Sequence, residues 1–255
     1  MKDTIQESLN AQSSKLLNQL YTSIPCIVVA VHLDKQMVDI QPSINQKFLD
    51  GSVAERPPIL GVPISFPASK TAAFTFPIKV GDTGLAVFSM RNLDAWKSGS
   101  GYPTTPLNQA KFDKGDAIFY PGIQPPSVAI NNPEKRFWEH STDDVVVVNN
   151  IGTAEEAEVR IKPSGNVIIN TKAKVEVNCN EAQVIADTSL SLSTAELTVN
   201  AINTTWYGNI NLVGNLIQNG NYTSTGVMSF NGIDFSTHKH TGVDAGPDTS
   251  GGPTN

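Results

Sequence analysis

Basic charge is scarce in the last third of this sequence. Of its 255 residues, 18 are Lys or Arg and 24 are Asp or Glu, which gives a formal net charge of −6. Residues 175–255 hold one basic side chain, Lys239, against seven acidic ones, so this part alone accounts for the whole −6. Because nucleic-acid phosphates are bound by clustered Lys and Arg, we expect no nucleic-acid partner.

Long apolar runs and cysteine pairs are lacking as well. No stretch of 18 apolar residues occurs, which excludes a membrane-spanning helix. The first 20 residues have no apolar core segment of the kind a secretory signal peptide needs. Cys26 and Cys179 lie far apart in no CxxC pattern, which favours two free or buried thiols over a disulfide and fits a protein made in a reducing cytoplasm.

Proline divides the chain into two different parts. Of the 16 prolines, 13 lie at or before Pro133 and none lies between Pro163 and Pro247. In the first part, leucines and an isoleucine recur near helical spacing, which predicts an amphipathic helix over 3–20. After Pro25 the apolar spacing changes to every second residue, as in strands. The predicted strands are 26–33, 36–41, 59–66, 72–77, 83–89 and 117–120.

These short strands with short links predict a Greek-key barrel of the OB type. Residues 1–135 hold 12 basic and 11 acidic groups and no stripe of aromatic and basic residues, so a docking or scaffold role is favoured over oligonucleotide binding. We interpret His32 as a satisfied barrel histidine. Nothing around His140 supports a general base.

The second part is repetitive. Apolar pairs of the form x-Φ-x-Φ recur every eight residues and then, around 184–199, every seven; five glycines follow at intervals of six. The pairs are Val159/Ile161, Val167/Ile169, Val175/Val177, Leu190/Leu192 and Leu197/Val199, and the glycines are Gly208, Gly214, Gly220, Gly226 and Gly232. Such a short period predicts a β-helix with glycine corners rather than a meander. One or two apolar residues per repeat cannot fill a core alone, so we expect an intertwined homotrimer with a triple-stranded β-helix.

The repeat runs directly into His238-Lys239-His240. Residues two apart on an extended strand project to the same side, so a trimer would bring six imidazoles to its axis. Six neutral nitrogen donors suit an octahedral metal such as Fe(II), Co or Ni better than tetrahedral Zn. The alternative is a solvated His-Lys-His in a flexible Gly/Ser-rich tail.

The sequence resembles the central spike proteins of contractile-tailed bacteriophages, in the gpV-like group. The resemblance covers nearly the whole chain, and its most specific part is the last motif. The matching segments are VDIQP (38–42), VPISFP (62–67), FPIKVGDTGLAVFS (76–89), DAW (94–96), GDAIFYPGIQP (115–125), and DFSTHKHTGV with DTSGGP within 234–253.

This resemblance implies an all-β homotrimer in the virion, at the tip of the tail tube, made in the host cytoplasm. An OB-fold collar would dock into the baseplate hub and tail tube proteins, and a needle would pierce the host outer membrane when the sheath contracts. His238 and His240 from three chains would bind one iron ion. The implied parts are a helix at 1–22, the OB-fold domain at 23–122, a linker or collar at 123–156, the β-helix spike at 157–233 and the apex at 234–255.

Two other functions are weighed against this one. A cell-wall-degrading tail enzyme is disfavoured, because 121–158 is too short for such a module and no GxSxG or HExxH pattern occurs. Glu155, Glu156 and Glu158 are interpreted as a charged loop, and we expect no enzymatic activity. A trimeric receptor-binding fibre or adhesin would end in an aromatic-rich head, whereas no aromatic residue follows Phe235 here.

Overall fold

The computed structural model describes residues 2–48, 50–235 and 237. The chain divides into two units, 1–180 and 181–255. No helix in the described ranges has the length and apolarity needed to cross a membrane. Helices are α1 (Lys2–Gln19) and α2 (Asp94–Lys97), with single 3-10 turns at Leu33–Lys35, Pro126–Val128 and Pro133–Lys135. Strands are β1 (Ser23–His32), β2 (Met37–Pro42), β3 (Gln46–Lys47), β4 (Val53–Ala54), β5 (Ile59–Pro63), β6 (Thr83–Phe88), β7 (Ala117–Pro121), β8 (Val145–Asn149), β9 (Ala157–Ile161), β10 (Val167–Asn170), β11 (Ser229–Phe230) and β12 (Ile233–Asp234).

Five strands of the first unit form one curled sheet. Their order is β5-β2-β1-β6-β7, and all neighbours in that order are antiparallel. The two outer strands also meet, because Ile64 and Phe119 form a parallel bridge and the Ser65 N–H donates to the Phe119 carbonyl at 2.8 Å. The predicted all-β, barrel-like domain is therefore confirmed, and its strand pairing is that of a five-stranded Greek-key barrel.

The barrel interior is filled by alternate residues of these strands. β2 and β6 each bury every second side chain, as a strand with one face toward a core should. Gly84 on β6 lies against Phe119, and a Cβ at Gly84 would overlap the Phe119 ring and the Tyr120 carbonyl. The buried apolar residues are Cys26, Val28, Val38, Ile40, Ile59, Val62, Ile64, Ile78, Ala86, Phe88, Ala117 and Phe119.

Most predicted elements of the first part are confirmed, and one is wrong. The helix and five of the six predicted strands appear within three residues of their expected bounds. Residues 72–77 instead form a loop with a single bridge, between Ala68 and Ala73. Pro67 precedes this segment and Pro77 ends it, and neither can donate a ladder hydrogen bond. Its apolar alternation leaves Phe74 and Phe76 partly exposed and in ring contact.

A second, three-stranded antiparallel sheet has the order β10-β9-β8. β8 lies inside the predicted linker 123–156, at a run of four valines whose branched side chains favour extended backbone. In the register, Val145 and Val167 both pair with Ile161, while Val147 and Ile169 both pair with Val159. The linker prediction therefore missed one strand of a sheet that continues into the first apolar repeats.

Most of the second unit has no regular secondary structure. Residues 181–228, all of which are described, contain no helix or strand. Three of the predicted corner glycines have strongly positive φ: 108° at Gly208, 140° at Gly214 and 132° at Gly220. Such angles are easily adopted only by glycine. A backbone turn of similar kind thus recurs every six residues, while the β-helix itself stays a prediction.

Candidate functional site

A hairpin precedes the predicted metal-binding motif. β11 and β12 pair Ser229 with Asp234, and the two-residue turn is Asn231-Gly232, with φ values of 50° and 79°. Positive φ at both turn positions is the geometry that Asn-Gly favours in tight hairpins. Gly232, predicted as a β-helix corner, therefore closes a local hairpin in the structure.

The predicted metal ligands, His238 and His240, lie outside the described residues. The described residues end directly before them in the sequence, at Phe235 and Thr237. The Phe235 N–H donates a hydrogen bond to the Met228 carbonyl at 2.9 Å. Within residues 2–48, 50–235 and 237, no group of three or more His, Cys, Asp or Glu side chains could hold a metal ion. The metal site stays a prediction that rests on the two histidines.

The second sheet covers a cluster of five charged side chains, which we call the collar cluster. Its members have side chains exposed over 5% of their surface or less. Arg136 donates from Nε to Glu156 Oε1 at 3.2 Å and from Nη2 to Glu158 Oε2 at 2.9 Å. The Asn170 amide donates to the other oxygen of Glu158 at 2.9 Å. The members are Arg136, Asp144, Glu156, Glu158 and Arg160.

Glu156 is the best satisfied member of the collar cluster. Besides Arg136, the backbone N–H groups of Gly152 and Phe137 donate to its Oε2, at 2.5 Å and 3.2 Å. Burial alone would raise the pKa of Glu156, but these two N–H groups and the guanidinium of Arg136 together hold it below its ordinary value. The carboxylate is therefore ionised at neutral pH and ties the chain before the sheet to the start of β9.

Other members of the cluster have weaker partners. Arg160 Nη1 lies 3.6 Å from Asp144 Oδ2 and also donates to the Glu139 carbonyl. Nearby His140 is buried, with Nε2 2.7 Å from Asn131 Oδ1, and its Nδ1 has no hydrogen-bond partner within the described part of the chain. His140 is thus a packed side chain, and nothing in its contacts supports the role of a general base.

The structure corrects the interpretation of Glu155, Glu156 and Glu158 as one charged loop. Only Glu155 is exposed, while Glu156 and Glu158 are buried in the collar cluster. Their binding to Arg136 explains the difference. A signal was present in the sequence, because Glu158-Val159-Arg160-Ile161 alternates charged and apolar residues as a strand does.

The outer face of this sheet, which we define as the side opposite the collar cluster, is aliphatic. Its six side chains are exposed over 42% to 67% of their surface. The strand register arranges them in two rows of three. The outer face consists of Val145, Val147, Val159, Ile161, Val167 and Ile169.

Three further predicted residues lie in the first unit. Cys26 is buried and Cys179 exposed, and both are free thiols, as predicted. Burial raises the pKa of Cys26 to about 11, so its thiol is protonated and unreactive at neutral pH. His32 on β1 lies 3.1 Å from Asp39 at the barrel surface, which confirms a satisfied histidine.

Comparison with known families gives two matches. Residues 24–122 match the family described as the phage protein Gp138 N-terminal domain, and residues 232–254 match the GpV apex motif. The first match spans the curled sheet, and the second spans the end of the hairpin and the two predicted ligands. No curated protein matches the chain.

Proposed function

We propose that this chain, a phage baseplate central spike protein of gpV type by its two family matches, is the needle that pierces the host outer membrane when the tail sheath contracts. Spike proteins of this family are trimeric virion components that associate with the baseplate. The observation that carries the proposal is the order of the parts along the chain: first a barrel domain, then a glycine-periodic stretch, and then the segment that matches the apex motif.

A homotrimer explains the exposure of apolar side chains in the second unit. From Val184 to Phe235, each large apolar side chain is exposed over at least 46% of its surface in the single chain. Exposure on this scale is typical of surfaces that bind a partner. Three chains winding around one axis as a triple-stranded β-helix would bury the inward half of these side chains and pair their backbones as strands.

The apex is proposed to hold one metal ion per trimer. His238 and His240 from each chain would supply six imidazole nitrogens, a donor set that fits an octahedral transition metal, with iron our choice. Such an ion would tie the three chain ends together and oppose their fraying. On an extended strand, Lys239 between the two ligands would project to the opposite side and would take no part in binding.

The charge of the spike supports a mechanical mode of entry. The −6 of residues 175–255 becomes −18 on a trimer, and the outer membrane that it meets is itself anionic. Electrostatic repulsion between the two therefore opposes entry, and attraction by charge cannot drive it. The energy comes from sheath contraction, and the spike contributes rigidity and a sharp end.

The proposed role requires no catalysis. Phage structural spike families are generally non-enzymatic. The two buried carboxylates of the collar cluster, Glu156 and Glu158, are each bound by Arg136, so neither is free to act as an acid or base on a wall polymer.

The test uses virions that carry a spike variant and vesicles that contain lipopolysaccharide and an enclosed dye. When contraction is triggered, we expect wild-type virions and virions with His32→Ala, a histidine control in the barrel, to release dye equally. We expect the double variant His238→Ala/His240→Ala to assemble into virions and to release several-fold less. Equal release by virions from which the spike is missing would refute piercing by this chain, and binding of the isolated trimer to host glycans would favour an adhesin.

A further inference from the structure

A cavity of about 240 Å³, which we call the collar cavity, lies beside the collar cluster. Its volume is several times the share of one water molecule in the liquid, about 30 Å³, and is smaller than pockets for drug-sized ligands, which begin at about 300 Å³. The cavity therefore suits a single side chain or a molecule of that size. Four aliphatic residues line it together with Asn131, Arg136 and Asp144; they are Ile130, Val146, Val148 and Ile151.

Asp144 is the charged group in this cavity that lacks a full set of partners. Its side chain is exposed over only 3% of its surface, and its Oδ2 accepts no hydrogen bond within the described part of the chain. The ion pair with Arg160 Nη1 spans 3.6 Å, which is beyond hydrogen-bond range. A buried carboxylate oxygen in this state costs free energy that a donor placed in the cavity would recover.

The charge around the cavity favours a cation. The collar cluster contains three carboxylates against two guanidinium groups, so one negative charge is left over. Residues 121–161 as a whole hold seven acidic and three basic side chains, a net charge of −4 in the same part of the chain. Such a field attracts positively charged groups.

A metal ion is a poor occupant. Among the described residues that line the cavity, Asp144 is the only acidic one, and a protein site for a hard cation needs more oxygen ligands than it supplies. Arg136 also lines the cavity and would repel a bare ion. The occupant should therefore bring its charge on an apolar carrier.

A lysine side chain has this chemistry. Its methylene stem can pack on the aliphatic walls while its ammonium group reaches Asp144 Oδ2. Asn131 Oδ1, which lies 2.7 Å from His140 Nε2, has a second lone pair for another ammonium hydrogen. An arginine fits less well, because a guanidinium binds best as a planar fork to both oxygens of a carboxylate, and the buried unpartnered atom here is one oxygen.

We propose that the collar cavity binds a lysine side chain of another baseplate protein, whose ammonium group pairs with Asp144. A copy of this chain is a poorer source, because the same segment of a copy brings the same −4. The inference rests on the proposed function, since it takes the chain to be a spike held in a baseplate. It adds a binding site outside the barrel and the chemical class of the partner group.

The test is binding of the full-length protein to baseplates from virions assembled without the spike. We expect Asp144→Asn to bind roughly tenfold more weakly than wild type or worse, because the partner's ammonium group would lose its counter-charge in a partly buried contact. The matched control is Asp143→Asn, which removes the same charge at the exposed neighbouring position and should bind within about threefold of wild type. The melting temperature of Asp144→Asn should stay close to that of wild type, because Asp144 Oδ2 accepts no hydrogen bond within the described part of the folded chain.

The outcomes separate this inference from the spike proposal. Wild-type affinity of Asp144→Asn would overturn the inference and leave the spike proposal standing. Equal weakening by Asp144→Asn and Asp143→Asn would also overturn it, because the effect would then come from the general field and not from the cavity. Failure of the wild-type protein to bind these baseplates would count against the spike proposal itself.

A second measurement needs no substitution. A density map of the intact baseplate that resolves side chains should show a lysine of another protein in the collar cavity, with its Nζ at hydrogen-bond distance from Asp144. A cavity that holds no partner side chain, or one that a copy of this chain fills, would refute the inference even if Asp144→Asn failed to fold.

Discussion

Arg136 donates a hydrogen bond from Nε to Oε1 of Glu156 across 3.2 Å, although 20 residues separate the two and both side chains are almost fully buried. The second arm of the same guanidinium reaches Glu158 on β9 at 2.9 Å. One side chain therefore fastens the segment before the second sheet to the central strand of that sheet. The pairing also explains why the aliphatic residues of β9 face outward.

Loss of Arg136 should open the second sheet. Arg136→Met would leave two buried carboxylates without their main partner, a change that costs about 3–5 kcal/mol. Hydrogen exchange followed by mass spectrometry should show faster exchange in β8, β9 and β10. Lys135→Met, at the exposed neighbouring position, is the control and should leave exchange unchanged. Equal protection in both variants would mean that the cluster adds nothing to the stability of the sheet.

The stability of this sheet should depend on pH through Glu156. Its pKa is lower in the folded chain than its ordinary 4.5, so the stabilisation it provides is complete above pH 4.5 and is lost as the pH falls through the folded value. Urea unfolding of the sheet should therefore begin at lower urea near pH 3 than near pH 7. Glu156→Gln should be less stable at pH 7 and should lose part of this dependence, whereas exposed Glu155→Gln should retain it. A Glu156→Gln variant with the wild-type pH profile would contradict the assignment.

The barrel should not accept a side chain at Gly84. Gly84→Ala would drive a methyl group into the Phe119 ring and the Tyr120 carbonyl, and overpacking of this kind costs about 1–3 kcal/mol. Thermal unfolding of the barrel should shift downward by several degrees. Gly115→Ala is the matched control, because its nearest neighbour is a movable oxygen of Asp113 at 3.3 Å. The reverse order of stability would disprove the packing described for β6 and β7.

The recurring glycines should differ in their tolerance of substitution. At Gly214, φ is 140° and nothing lies within 4 Å of a built Cβ, so Gly214→Ala is strained by its backbone alone, by about 1–3 kcal/mol in each chain. Gly226 has equal space and no positive φ, so Gly226→Ala should be neutral or stabilising by about 0.4–1 kcal/mol. The melting temperatures of the two purified variants give the comparison. Equal temperatures would argue against a backbone turn repeated every six residues.

Elements with strict apolar alternation could be predicted from the sequence, and those that depend on distant ionic partners could not. β1, β2 and β6 follow their period-two patterns because one face of each is buried. Residues 72–77 show the same alternation, yet they form only a single bridge in the described structure, beside two prolines, Pro67 and Pro77, that cannot donate ladder hydrogen bonds. Burial of Glu156 and Glu158 depends on Arg136, which no local pattern connects to them.

In the candidate site, too, the features that depend on neighbouring residues could be predicted from the sequence, and those that depend on distant partners could not. His238 and His240 stand out in the sequence alone by their spacing of two residues, and residues 232–254 match the GpV apex motif. The spacing of Gly232 suggested a corner, whereas the local preference of Asn231-Gly232 for a tight turn prevails in the structure. The proposed contacts between copies would leave only an indirect trace in one chain, as exposed apolar side chains.

The most direct test of the account is the mass of the purified protein in solution together with its iron content. We expect a mass three times the 27.3 kDa of one chain and one iron ion per three chains, with the iron lost and the mass unchanged in His238→Ala/His240→Ala. A metal-free protein of 27.3 kDa would contradict the proposed trimeric spike and its apex.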